Sequence, residues 1–168
     1  MARDRGRRGI VSKASVLRQA AVLFASNLPA SITYWQEKLG FARHGIFGEP
    51  PVFAIMEYGN AFVMLKQAPQ GHRIVPYWET SEGIWNAYFW ADDVKSLFED
   101  VQTRGATIEY GLCDQFYGVR EFAVRDPDKQ SIGFGQVMTT AAAGNPPEAG
   151  LRRPSAEAII EPSDSPGD

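Results

Sequence analysis

Apolar positions along this chain follow two rhythms, and the order in which the rhythms come repeats once. Residues 16–25 carry β-branched and aromatic side chains without helix caps, which predicts a strand. Ser26-Asn27-Leu28-Pro29 then offers a cap and a first-turn proline, and Ile32, Trp35 and Leu39 recur at helical spacing until Gly40 stops them. Tyr34 and Trp35 sit at spacings that predict packing into a core. Strand-like runs follow at 42–47, 52–58 and 61–67, separated by Gly48-Glu49-Pro50-Pro51 and Gly59-Asn60 as turns. After a polar loop over 68–83 the order returns: a strand at 87–91, a turn at Asp92-Asp93, and a helix from Val94 with Leu97, Phe98 and Val101 facing inward until Gly105. Strands are predicted at 107–110, 119–124 and 131–136, the last two joined by Arg125-Asp126-Pro127-Asp128-Lys129.

The helix-stopping glycines Gly40 and Gly105 lie 65 residues apart and the helix entries Leu28 and Val94 lie 66 apart, so the chain reads as two copies of one β-α-β-β-β unit. The expected fold is α+β, two such modules forming a curved eight-stranded mixed sheet around a cleft. The modules span about 16–67 and 84–137 within a domain over 16–138. Residues 1–15 read as a basic flexible arm and 139–168 as a disordered tail, the latter with Pro146, Pro147, Pro154, Pro162 and Pro166.

Charge sharpens that division. Arg3, Arg5, Arg7, Arg8, Lys13 and Arg18 against Asp4 make the first 20 residues +5, whereas residues 21–140 hold nine basic and fourteen acidic side chains, or −5. No aromatics interleave with the basic residues, which argues against a nucleic-acid interface, and no apolar run is long enough to span a membrane. Cys113 is the only cysteine, which excludes disulfides and Cys-rich metal sites and fits a reducing, cytoplasmic setting. With only His44 and His72 present, a three-histidine metal centre is excluded as well. No phosphate loop, Ser-His-Asp order or paired-carboxylate motif is evident.

Ser31-Ile32-Thr33-Tyr34-Trp35-Gln36-Glu37-Lys38-Leu39-Gly40-Phe41 resembles the first-helix signature of the vicinal oxygen chelate superfamily, which includes glyoxalase I, extradiol dioxygenases and the fosfomycin and bleomycin resistance proteins. Arg120-Glu121-Phe122-Ala123-Val124-Arg125-Asp126-Pro127-Asp128 is similar to the closing hairpin of the bleomycin resistance branch, although Lys129 stands where relatives usually have glycine. The resemblance implies metal ligands at one position on each of strands one, four, five and eight. Those positions fall on Ala20, Met64, Asn86 and Gly133, at most one weak ligand in four, so neither a metal nor another cofactor is expected.

Alternation puts Asn86, Tyr88 and Trp90 on one face of the fifth strand, and the resemblance implies that this face, which carries the ligand position in relatives, is the cleft face. Ligand contacts are therefore expected from Asn86, Tyr88, Trp90, Phe62, Met64, Phe116 and Tyr117. Aromatic faces of this kind hold flat or cationic groups by stacking and cation–π attraction. Glu57, Asp114 and Glu121 are acids that could face a ligand, although each taken alone reads as a solvated charge. The expected function is metal-free binding and sequestration of a drug-like aromatic or cationic molecule, such as a bleomycin-like antibiotic, by a homodimer whose clefts draw on both chains. The alternatives are a lyase, isomerase or other enzyme of the superfamily with a nonstandard site, and an interaction domain with a closed cleft.

Overall fold

The computed structural model describes residues 17–138, so the basic arm, the C-terminal tail and Val16 lie outside the described residues. Eight strands and two helices follow in the order β1 Ala20–Ala25, α1 Leu28–Glu37, β2 Ala42–Phe47, β3 Phe53–Tyr58, β4 Ala61–Gln67, β5 Ala87–Trp90, α2 Val94–Thr103, β6 Thr107–Asp114, β7 Val119–Arg125 and β8 Ser131–Val137. A short 3₁₀ turn, Tyr77–Glu79, interrupts the long loop between the modules. The first strand begins at Ala20 rather than residue 16, because pairing with β4 starts at Ala20 opposite Phe62.

The strands divide equally between two hydrogen-bonded sheets, ordered β1-β4-β3-β2 and β5-β8-β7-β6. In each, the first strand runs parallel to the fourth and the other pairs are antiparallel. The fold is thus α+β with eight strands in two modules, each module keeping its own sheet.

Local chemistry repeats along with topology. Asn27 Oδ1 accepts the Ala30 N–H at 3.1 Å and Asp93 Oδ1 accepts the Ser96 N–H at 3.1 Å, so each helix satisfies an otherwise unpaired donor of its first turn. Each fourth strand also carries, at or next to its end, a glutamine that reaches its own helix: Gln67 Oε1 accepts the Leu28 N–H at 2.9 Å, and Gln136 Oε1 accepts the Val94 N–H at 3.1 Å. Both helices stop before a glycine in the left-handed region, Gly40 and Gly105.

One face of each sheet packs on its helix. Leu23, Ala54, Met56, Val63 and Leu65 close over Leu28, Ile32 and Trp35, while Phe89, Phe122, Ile132 and Phe134 close over Val94 and Val101. The two cores merge where Phe41 meets Trp35 at 4.9 Å and Phe89 at 5.7 Å between ring centroids. Tyr34 does more than pack, for its hydroxyl donates to the Arg125 carbonyl at 2.7 Å and accepts from the Thr107 N–H at 3.1 Å, tying α1 to the second module. Among the described residues no helix is long and apolar enough to cross a membrane.

Candidate functional site

The side of the second sheet that faces away from α2 is built around β5. Its short sequence alternates, so Ala87 and Phe89 turn into the core while Tyr88 and Trp90 turn the other way. Trp90 is 64% exposed, an unusual position for an indole on a rigid strand. The Tyr88 ring meets Trp90 at 5.1 Å and Trp85 at 4.7 Å, both steeply tilted, so three aromatic rings run in a row along this face.

Two glycines let Tyr88 reach further. β8 lies between β5 and β7, with Gly133 opposite Tyr88 and Gly135 opposite Trp90. A Cβ on Gly133 would stand 2.5 Å from the Tyr88 ring and 2.7 Å from Trp85, and one on Gly135 would collide with the Tyr88 hydroxyl. Without those carbons the tyrosine lies across β8 and touches β7, where Glu121 is the register partner of Gly135.

Glu121 is fully buried, not the solvated charge its sequence context suggests. Its Oε2 accepts the hydroxyls of Tyr88 at 2.8 Å and Tyr117 at 3.0 Å, and its Oε1 accepts Tyr110 at 3.1 Å and Gln115 Nε2 at 3.0 Å. The Trp85 indole N–H donates to the Tyr110 oxygen at 2.9 Å, which commits the Tyr110 proton to Glu121. Four donors on two oxygens fill the acceptor sites of an ionised carboxylate. Burial, followed by the hydrogen bond to Glu121, holds the Tyr88 phenol well above the ordinary tyrosine range, so it keeps its proton.

Of the sequence-predicted residues, Tyr88, Trp90 and Tyr117 come together here, and Phe116 joins them through an edge contact with Tyr117 at 5.0 Å. Asn86 has other work: its Oδ1 accepts the backbone N–H groups of Ser131 at 3.1 Å and Tyr77 at 3.3 Å, pinning the inter-module loop to β8. Phe62 and Met64 lie on the other sheet. Phe62 packs edge-on to His44 at 5.5 Å with the Arg18 guanidinium 4.9 Å above its ring, and Met64 sits half-buried between Val22 and Ile55 in the register. Glu57 and Asp114 are paired with His44 and Arg120 respectively.

The sequence pattern did not single out Trp85, Tyr110 or Gln115. Gly133 and Gly135, two apart on one strand face, were the available signal that something large approaches β8 closely. Tyr110 was hidden by two register shifts that flank it in β6, which break the alternation used to assign faces.

The residues present do not fit a superfamily-type metal centre. Ala20 and Gly133 bring no donor and Met64 only a soft thioether, and the Asn86 carbonyl oxygen is already taken. Among the described residues no group of three or more His, Cys, Asp or Glu is placed to hold a metal ion. A hollow of about 350 Å³ does exist at the end of β4, lined by Ser26, Gln67, Pro69 and His72 among others. Of its two amide side chains, Gln67 is spent on the Leu28 N–H and the Ser26 carbonyl, and Gln70 is exposed.

Residues 18–134 match the family model described as "Glyoxalase/Bleomycin resistance protein/Dioxygenase superfamily". No curated protein matches the chain in sequence. Among solved structures, a glyoxalase/bleomycin resistance protein/dioxygenase from Alicyclobacillus acidocaldarius is similar at 16% identity and a TM-score of 0.59, covering 73% of this chain and 92% of its own. TioX from Micromonospora sp. ML1 is similar at 20% identity and a TM-score of 0.55, over 71% of this chain and 98% of its own. The bleomycin-binding protein of Streptomyces verticillus, solved with copper(II)-bleomycin, is similar at 24% identity and a TM-score of 0.53, over 72% of this chain and 96% of its own.

Proposed function

The chain belongs to the glyoxalase/bleomycin resistance protein/dioxygenase superfamily, and from that premise we propose that it binds and sequesters a small aromatic or cationic molecule without metal and without chemistry. The observation that carries this reading is the row of Trp85, Tyr88 and Trp90, ending in an indole that is 64% exposed. An exposed indole held by ring contacts adds little to the chain's own core, yet it offers a stacking face of the kind that anchors ligands. The similarity to a protein solved with copper(II)-bleomycin makes a bleomycin-like antibiotic the first ligand to try.

We further propose a cytoplasmic homodimer. The first sheet, on the side away from α1, exposes Val22, Phe24 and Phe47 beside half-buried Phe53, Ile55 and Met64. A second copy covering that face would bring its own aromatic row toward Phe62 and Met64, uniting residues that a single chain keeps on separate sheets.

Thermal denaturation with metal-free bleomycin and other aromatic antibiotics, in chelator, tests the binding. A true ligand at about 100 times its Kd adds about 2.7 kcal/mol of stability. Stabilisation that appears only after a divalent metal is supplied, or with no compound of the panel, would overturn the metal-free binding role.

A further inference from the structure

Resting on the binding role above, the geometry points to Glu121 as the residue that makes this site choose a positively charged ligand: we propose that its buried carboxylate, relayed through Tyr88, selects an organic cation over neutral or anionic molecules of the same shape. A buried carboxylate is costly unless something balances it. Here no cation does so among the described residues, since Arg120, next in sequence, forks onto Asp114 at 2.6 and 2.8 Å instead. All four partners of Glu121 are neutral donors, which spread the negative charge and leave it uncancelled.

The charge is directed to one place. Tyr88 gives its proton to Glu121, so the hydroxyl oxygen can offer a ligand only lone pairs. Its ring lies between Trp85 and Trp90, whose faces attract cations through their quadrupoles. Aromatic faces beside a polarised phenol, with a fixed negative charge behind, form a site complementary to a protonated amine or guanidinium carried on an apolar body. Direct contact with Glu121 is not required, so Glu121 acts through Tyr88.

Three probes of one shape separate this from simple stacking: 2-naphthylmethylammonium, 2-naphthylmethanol and 2-naphthoate, titrated calorimetrically against the full chain. The ammonium should bind at least about tenfold more tightly than the alcohol, with the carboxylate weakest. In Glu121→Gln and in Tyr88→Phe that ratio should fall to about threefold or less, whereas mere loss of structure would weaken the ammonium and the alcohol together and leave their ratio as it was. Tyr88→Phe decides alone if Glu121→Gln does not fold, because it leaves Glu121 three donors. Equal binding of all three probes by the wild type overturns the cation selection and leaves the stacking site standing. An unchanged ratio in the variants overturns the role of Glu121. Binding of none of the three overturns the ligand site itself and this inference with it.

Discussion

At Lys129 the backbone adopts φ +62, a left-handed conformation that a residue with a Cβ occupies at a cost of about 1–2 kcal/mol. The turn holds it there. Its N–H donates to the Asp126 carbonyl at 2.9 Å, and its own carbonyl accepts the Trp78 indole N–H at 2.7 Å. Lys129→Gly should therefore stabilise the chain by about 0.5–1 kcal/mol in thermal denaturation, part of the steric relief being lost to the freer unfolded chain. Lys129→Ala, which keeps the Cβ, should give no such gain. On β5 the two faces make opposite predictions for neighbouring residues. Trp90→Ala should weaken a bound ligand by about 1–3 kcal/mol with little effect on stability. Phe89→Ala, which empties a core position beside Phe41 and Phe134, should cost about 3–5 kcal/mol of stability. Equal losses of melting temperature, with ligand affinity untouched, would make Trp90 a packing residue.

The hairpin between β7 and β8 behaves as a unit because one buried acid organises it. Asp126 Oδ1 accepts the N–H groups of Asp128 and Gln130, both at 2.9 Å, and Oδ2 accepts Gln130 Nε2 at 2.9 Å. The same Gln130 nitrogen also donates to the Phe24 carbonyl at 2.9 Å, which links the turn to β1 of the other module. Burial outweighs these donors and pushes the Asp126 carboxyl up to about 7 from its ordinary 3.8. A carboxyl raised on folding penalises the folded state once it ionises. The penalty is absent below about pH 4, grows between pH 4 and 7, and is complete above 7, reaching on the order of 4 kcal/mol for a shift of this size. Stability measured by urea denaturation should thus fall for the wild type relative to Asp126→Asn as pH rises from 4 to 7. A difference that stays constant over that window would show that the carboxyl titrates normally in the folded chain.

At the scale of the whole molecule, the side of the first sheet away from α1 leaves large apolar side chains exposed among the described residues. Val22 at 66% and Phe24 at 41% exposure lie on β1 and Phe47 at 51% on β2, the two edges of the sheet, with half-buried Met64, Ile55 and Phe53 on the same face between them. If a second copy covers it, Val22→Asp places a charge at the interface and should turn a dimer into a monomer in sedimentation at micromolar concentration, with helix and sheet content unchanged. A wild-type protein that already sediments as a monomer would remove the shared-cleft arrangement.

Much of the fold was legible because its signals are local. The cap within Ser26-Asn27-Leu28-Pro29, the stops at Gly40 and Gly105 and the return of the same order of elements come from residues a few positions apart, and the structure keeps all of them, while Asp93, read as a turn residue, turns out to cap the second helix. Alternation along β5 correctly separated Phe89 from Tyr88 and Trp90, since a strand without bulges obeys a period of two. The carboxylate network was decided only by tertiary structure. Tyr88, Tyr110, Gln115, Tyr117 and Glu121 come from three strands and a loop, and two register shifts in β6 re-aim Tyr110 in a way no periodicity encodes. Whether an acid such as Glu121 is solvated or buried depends on what lies across the neighbouring strand, and that was set by the glycines of β8, which mattered only once the sheet had formed.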